Sequence, residues 1–89
     1  MISHTTEKFR KLFLALPLEI QKQTRVAYFQ FKNNPYHPSL QFKPVHSSKP
    51  IYSARINRDY RAVGISQQNE IIWFWIGSHT EYEKLLQKL

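Results

Sequence analysis

The chain is 89 residues long, with thirteen Lys and Arg against six Asp and Glu for a net charge of +7, 42% hydrophobic residues and no cysteine. That length fits one domain with a thin core, burying about 60–65% of the unfolded surface, and the hydrophobic share is too high for a disordered tail. Disulfide scaffolds, Cys-based zinc or iron–sulfur sites and thiol nucleophiles are excluded together; no apolar run approaches the roughly 20 residues that span a bilayer, so no membrane partner is expected and the cytoplasm is the expected location.

Phe9, Leu12, Phe13 and Leu16 repeat at the spacing of one helical face. Thr5 or Thr6 can cap that helix, and Pro17 ends it by removing a backbone donor and biasing Leu16 away from helical angles. Pro17 can also open a second helix, with Ile20, Thr24, Ala27, Tyr28 and Phe31 on one face. The two make an αα-hairpin. Asn33–Ser39 is dense in turn formers and reads as a loop. A short strand over Leu40–Val45 and a turn over His46–Pro50 come next. An antiparallel meander follows: Ile51–Ile56, a tight turn at Asn57–Asp59, Tyr60–Ile65, a polar turn at Ser66–Glu70, and Ile71–Ile76. The last strand is apolar at every position, as expected in the middle of a sheet covered on both faces. Thr80 can cap a final helix with Tyr82, Leu85, Leu86 and Leu89 on one face. The expected fold is α+β: an N-terminal α-helical hairpin packed on a three- to four-stranded antiparallel sheet, with a short C-terminal helix.

The charge is uneven. Ile20–Asn69 holds eight basic residues and the single acid Asp59, whereas the flanking segments balance at five against five. Phosphate or an acidic protein is the natural complement of such a stretch. The two glycines, Gly64 and Gly77, cannot build a phosphate-cradling loop or a dinucleotide fingerprint, and the four histidines show no metal-ligand spacing. Glu81 and Glu83, two apart on a helix, point in different directions and make a poor carboxylate pair. Chemistry free of metal and cofactor is what remains.

One constellation stands out. If the turn at Asn57–Asp59 holds three residues, Arg55 and Arg61 face each other on one side of the hairpin. Two such cations repel unless an anion lies between them, and guanidinium donors match phosphate oxygens in pairs. His79 and Tyr82 come just after the central strand, and histidine is suited to move a proton near neutrality. Arginines to neutralise phosphate and a histidine to move a proton are enough to cleave RNA, whose 2′-hydroxyl supplies the nucleophile. Each residue also has an ordinary reading: surface charge for Arg55 or Arg61, a cap for His79, core for Tyr82.

The segments Leu16-Pro17, Asn34-Pro35-Tyr36-His37-Pro38-Ser39-Leu40, Tyr52-Ser53-Ala54-Arg55-Ile56, Asp59-Tyr60-Arg61-Ala62-Val63 and Trp75-Ile76-Gly77-Ser78-His79-Thr80-Glu81-Tyr82 occur in that order. The ordered set resembles the RelE/ParE superfamily of bacterial type II toxins, from about Phe9 to Leu86. The resemblance implies a microbial RNase-like fold, with residues 1–89 as one RelE/ParE-like domain. Only Met1–His4 precede the first helix, so the family's first strand should be short or missing. The resemblance further implies a toxin that cuts mRNA in the ribosomal A site without a metal or cofactor, by 2′-hydroxyl attack on the adjacent phosphate. Arg61 would stabilise charge on the scissile phosphate, Arg55 would add a second cation, His79 would assist proton transfer and Tyr82 would support it. Lys43, Arg58 and Lys49 would hold the RNA backbone. An acidic antitoxin is the implied cellular partner, beside the mRNA itself. The superfamily also includes ParE-type proteins that poison DNA gyrase and lack the RNase residues. A non-catalytic binder of gyrase, antitoxin or nucleic acid is therefore the alternative.

Overall fold

The computed structural model describes all 89 residues. A strand at Ile2–Thr5 (β1) leads into helices Glu7–Leu14 (α1) and Leu18–Asn33 (α2) and a single 3₁₀ turn at Pro38–Leu40. Strands Lys43–Pro44 (β2), Ile51–Asn57 (β3), Tyr60–Gln67 (β4) and Glu70–Ser78 (β5) follow, and His79–Lys88 forms the last helix, α3. The strands make one sheet in the order β1-β5-β4-β3-β2, with β1 parallel to β5 and every other pair antiparallel. No helix is long and apolar enough to cross a membrane.

The α+β architecture, the helical hairpin and the meander are as the sequence predicts, and the sheet gains a fifth, parallel strand. β1 is short but present, because all four of its residues pair in register with Glu70–Trp73 of β5. The strand predicted over Leu40–Val45 shrinks to two residues. His37 Nδ1 accepts from the Ser39 N–H at 3.2 Å and stabilises the 3₁₀ turn, Gln41 takes a left-handed φ of 45°, and Pro44 has no N–H to donate. Thr6 is the cap of α1, its Oγ1 accepting from the Phe9 N–H at 3.1 Å. Ser78, not Thr80, caps α3, accepting from the Glu81 N–H at 3.3 Å, so that helix begins at His79.

The sheet is covered unequally. On one face α2 lays Ala27 and Phe31 over Ala54, Ala62, Ile71, Trp73 and Ile76, α1 adds the partly buried Phe9, Leu12 and Phe13, and Leu40 closes the side. An apolar cavity of about 150 Å³ remains there, lined in part by Phe9, Phe13, Phe31, Ile56 and Trp73. On the other face, Ile51, Val63 and Tyr82 form a smaller cluster with Trp75, Leu85 and Leu86 around it. α3 alone roofs this side. His46 ties the roof down from the β2–β3 turn: its Nδ1 accepts from the Ser48 and Lys49 N–H groups at 3.1 and 2.9 Å, and Nε2 donates to the Leu89 carbonyl at 2.9 Å.

The joint between α1 and α2 rests on a buried amide. Gln21 Nε2 donates to the carbonyls of Leu14 and Leu16 at 3.2 and 3.0 Å, serving acceptors that the end of α1 leaves open. Gln21→Leu keeps the volume and abandons both carbonyls, which should cost about 1–3 kcal/mol. Thermal denaturation followed by circular dichroism checks this, since each kcal/mol lowers the midpoint of a domain this size by about 4–8 °C. A variant that melts with the parent would show that solvent serves those carbonyls equally well.

Candidate functional site

The site begins at the β3–β4 turn. Asn57 Oδ1 accepts from the N–H groups of Asp59 and Tyr60 at 2.8 and 3.0 Å, which closes the loop around Arg58 and Asp59. The loop thus holds two residues, one fewer than the sequence suggests, and Asn57 pairs with Tyr60. A regular ladder from that pair would set Arg55 against Ala62. Instead the register shifts by one between Arg55 and Asn57, leaving Ile56 as the extra residue, and Arg55 pairs with Arg61. The two arginines therefore do face each other, through a bulge rather than a longer turn.

Directly opposed residues share a sheet face. Arg61 pairs in turn with Gly77, so Arg55, Arg61 and Gly77 form one row on the face that α3 roofs. The next row is Lys43, Ser53, Val63 and Trp75. Gly77 has a steric reason to be glycine: a Cβ there would lie 2.7 and 2.8 Å from Cζ2 and Cη2 of Trp75. The indole edge thus fills the place beside Arg61 where a side chain would stand.

Arg61 is held by one guanidinium nitrogen. Its Nη1 donates to the carbonyls of Asn57, Tyr60 and Arg58 at 2.7, 3.0 and 3.4 Å, a grip on the turn that leaves Nε and Nη2 free. None of the chain's four ion pairs involves Arg55 or Arg61. Burial, and then the like charge of Arg55, lower the pKa of Arg61, while Tyr82 and Asp59 pull it up. The electrostatics at this point favour an added negative charge. Arg55 stands at a free edge, because β2 pairs only with Tyr52 and Ser53. On its outer side lies a mixed groove lined by Glu19, Lys22, Gln23, Val26 and Gln30 of α2 and by Ser39 of the 3₁₀ turn, so one carboxylate shares it with the cations.

His79 reaches this row through the backbone. β5 ends with Ser78 paired to Tyr60, and the His79 N–H donates to the Asp59 carbonyl at 2.7 Å, so α3 starts against the arginine hairpin. The imidazole lies tilted on Tyr82 with ring centroids 5.6 Å apart, and Nδ1 is 3.1 Å from Glu83 Oε1. Tyr82 itself is 7% exposed, and its hydroxyl donates to Ser53 Oγ at 3.1 Å, pinning α3 to β3.

The structure thus gathers Arg55, Arg61, His79 and Tyr82 on one face, and Lys43 sits one row away on it, exposed. Arg58 is exposed at the hairpin tip beside them. Lys49 is not brought together with the others; it lies in the turn at the opposite end of β3. Three contributors escape the sequence reading: the Asp59 carbonyl, the Ile56 bulge and Glu83. Only Glu83 carries a signal, since it stands four residues after His79 on a helix.

Opposed like charges on neighbouring strands are destabilising, by roughly 0.2–1 kcal/mol. Arg55→Gln should therefore leave the empty protein as stable as the parent or more stable by about that amount, as read from urea denaturation midpoints. A loss of stability would mean that Arg55 packs as a structural residue.

The surrounding chain has relatives. A family profile described as a ParE-like toxin domain matches residues 18–84. No curated protein sequence matches the chain. Among solved structures, YafQ from E. coli strain BL21(DE3) superposes with a TM-score of 0.72 at 14% identity, over 90% of this chain and 94% of its own. RelE in the RelB-RelE antitoxin-toxin complex from Methanococcus jannaschii gives 0.74 at 16% identity, over 92% and 96%. A YoeB/ParE toxin from Agrobacterium tumefaciens gives 0.68 at 14% identity, over 89% and 99%. At such identities the superpositions carry the fold, and the family match carries the kinship. The helical hairpin, the bulged arginine strands and the short roof helix are the work of a chain that belongs to the ParE-like toxin domain family, within the RelE/ParE toxin superfamily.

Proposed function

We propose that this toxin is a metal-independent endoribonuclease that cuts mRNA at the ribosome by attack of a 2′-hydroxyl on the neighbouring phosphate. The observation that carries the proposal is the pairing of Arg55 with Arg61, two guanidiniums without carboxylate partners, beside an imidazole whose Nε2 is free. A phosphodiester between the arginines would relieve their repulsion. As the phosphorane forms, charge on its equatorial oxygens grows, and donors already fixed in place stabilise that charge without reorganisation. Arg61 meets this requirement, being gripped by three carbonyls through Nη1 with its remaining donors open. His79 moves the proton, and Tyr82 supports it from beneath by holding α3 on Ser53. Lys43 and Arg58 guide the RNA backbone toward the row; Lys49 contributes only at a distance.

An acidic antitoxin is the partner that fits the net charge of +7, all of it on the central stretch. The RelE relative from Methanococcus jannaschii was solved with its RelB antitoxin. The ParE-like description of the family favours a second reading, a non-catalytic inhibitor of DNA gyrase.

Expression of the toxin alone, with transcripts mapped, separates the two. Cut transcripts in the parent and about a 10²–10³-fold slower cleavage by Arg61→Ala are expected, with the variant's circular dichroism unchanged. Intact transcripts with a DNA-damage response would favour gyrase. An Arg61→Ala protein as toxic as the parent would remove the catalytic assignment.

A further inference from the structure

His79 can serve a nuclease as a base through a bare nitrogen or as an acid through a protonated one, and its surroundings choose between them. We propose that Glu83 is a positioning residue that fixes His79 as the Nδ1–H tautomer, making Nε2 the base that takes the proton of the attacking 2′-hydroxyl. The inference rests on the nuclease reading and adds a direction to its proton transfer.

A carboxylate only accepts hydrogen bonds, so the 3.1 Å contact of Glu83 Oε1 with His79 Nδ1 places a hydrogen on Nδ1. In a neutral imidazole the other nitrogen is then a lone-pair acceptor, and the bond made by one nitrogen sets the state of its partner. The ring is restrained elsewhere too. Its own backbone N–H is bound to the Asp59 carbonyl at 2.7 Å, and its face leans on Tyr82, which is anchored to Ser53. The ring thus meets Glu83 and Tyr82 of α3, while the residue's backbone is tied to the hairpin at Asp59. Nε2 is the atom without a partner in the protein.

The step balances as follows. Nε2 takes the 2′-hydroxyl proton while that oxygen bonds to phosphorus. The bond from phosphorus to the 5′-oxygen breaks, its electron pair leaves with that oxygen, and solvent water supplies the proton. The products are a 2′,3′-cyclic phosphate and a 5′-hydroxyl, and the imidazolium returns its proton to solvent.

An i,i+4 pair at a helix surface can also be a minor helix brace, so the test must read the ring itself. Nitrogen-15 spectra of the His79 imidazole, recorded above neutral pH on the parent, Glu83→Ala and Glu83→Gln, give the tautomer directly. Nδ1–H is expected in the parent and in Glu83→Gln, whose amide oxygen still accepts, with a shift toward Nε2–H in Glu83→Ala. Cleavage of a defined mRNA on purified ribosomes should fall at least about tenfold in Glu83→Ala, a share of the 10²–10⁴ that a positioned base contributes. Glu83→Gln should recover most of it, with KM unchanged throughout. A parent ring carrying Nε2–H, or a Glu83→Ala protein with tautomer and rate intact, overturns the proposal. If the parent cuts no RNA, the nuclease reading fails by itself, and the spectra still decide whether Glu83 sets the tautomer.

Discussion

Two guanidiniums set opposite each other on adjacent strands repel, and that repulsion is the constraint around which the rest of this small protein is arranged. The Asn57 side chain closes the turn, the extra Ile56 shifts the register, and Arg55 lands on Arg61. Arg61 is then fastened to three turn carbonyls, whose dipoles offset part of its charge and whose geometry limits its motion. The next row, with Val63 fully buried, supplies the apolar packing that keeps the strands together despite the repulsion above it. Stability is thus held away from the arginine row.

The two faces of the sheet divide the work. The helical hairpin shelters the larger cluster, where the polar tips of Trp73 and Tyr28 both meet Ser3 Oγ, at 3.1 and 2.9 Å. The opposite face keeps only a short roof, attached at three places: the His79 N–H on Asp59, Tyr82 on Ser53, and Leu89 on His46. A roof this light leaves Arg55 and Arg61 half-buried rather than sealed. It also carries the imidazole, so each contact that fastens α3 places His79 relative to Arg61. Tyr82 shows how packing and placement merge, since its ring belongs to the core while its hydroxyl fixes the helix.

Much of this was legible in the chain. Helical spacing from Phe9 to Leu16 and from Ile20 to Phe31, broken by Pro17, marks the hairpin, and the polar turns mark the meander. The facing of Arg55 and Arg61 was legible as a consequence of the turn, although the turn is shorter and a bulge makes up the difference. Bulges are settled by the packing of the whole sheet; nothing in Arg55-Ile56-Asn57 announces one. β1 was hard to see because Ile2–Thr5 has only one strongly apolar residue and depends on β5 for every pairing. The strand at Leu40–Val45 was overread, since alternation there competes with a local His37–Ser39 hydrogen bond and a proline. Glu83 was present at helical spacing from His79, but its value lies in which imidazole nitrogen it meets, and that depends on rotamers.

The central claim is that Arg55 and Arg61 act as one anion site with His79 at its side. Titrating the isotope-labelled protein with an RNA oligonucleotide made uncleavable by a single 2′-deoxy substitution, while following the Nε–H resonances of both arginines, tests this most directly. The account predicts that the two arginines and the His79 ring shift along a single binding curve, with the Lys49 amide little affected. Arginines that shift along separate curves, or one that does not respond at all, would contradict it.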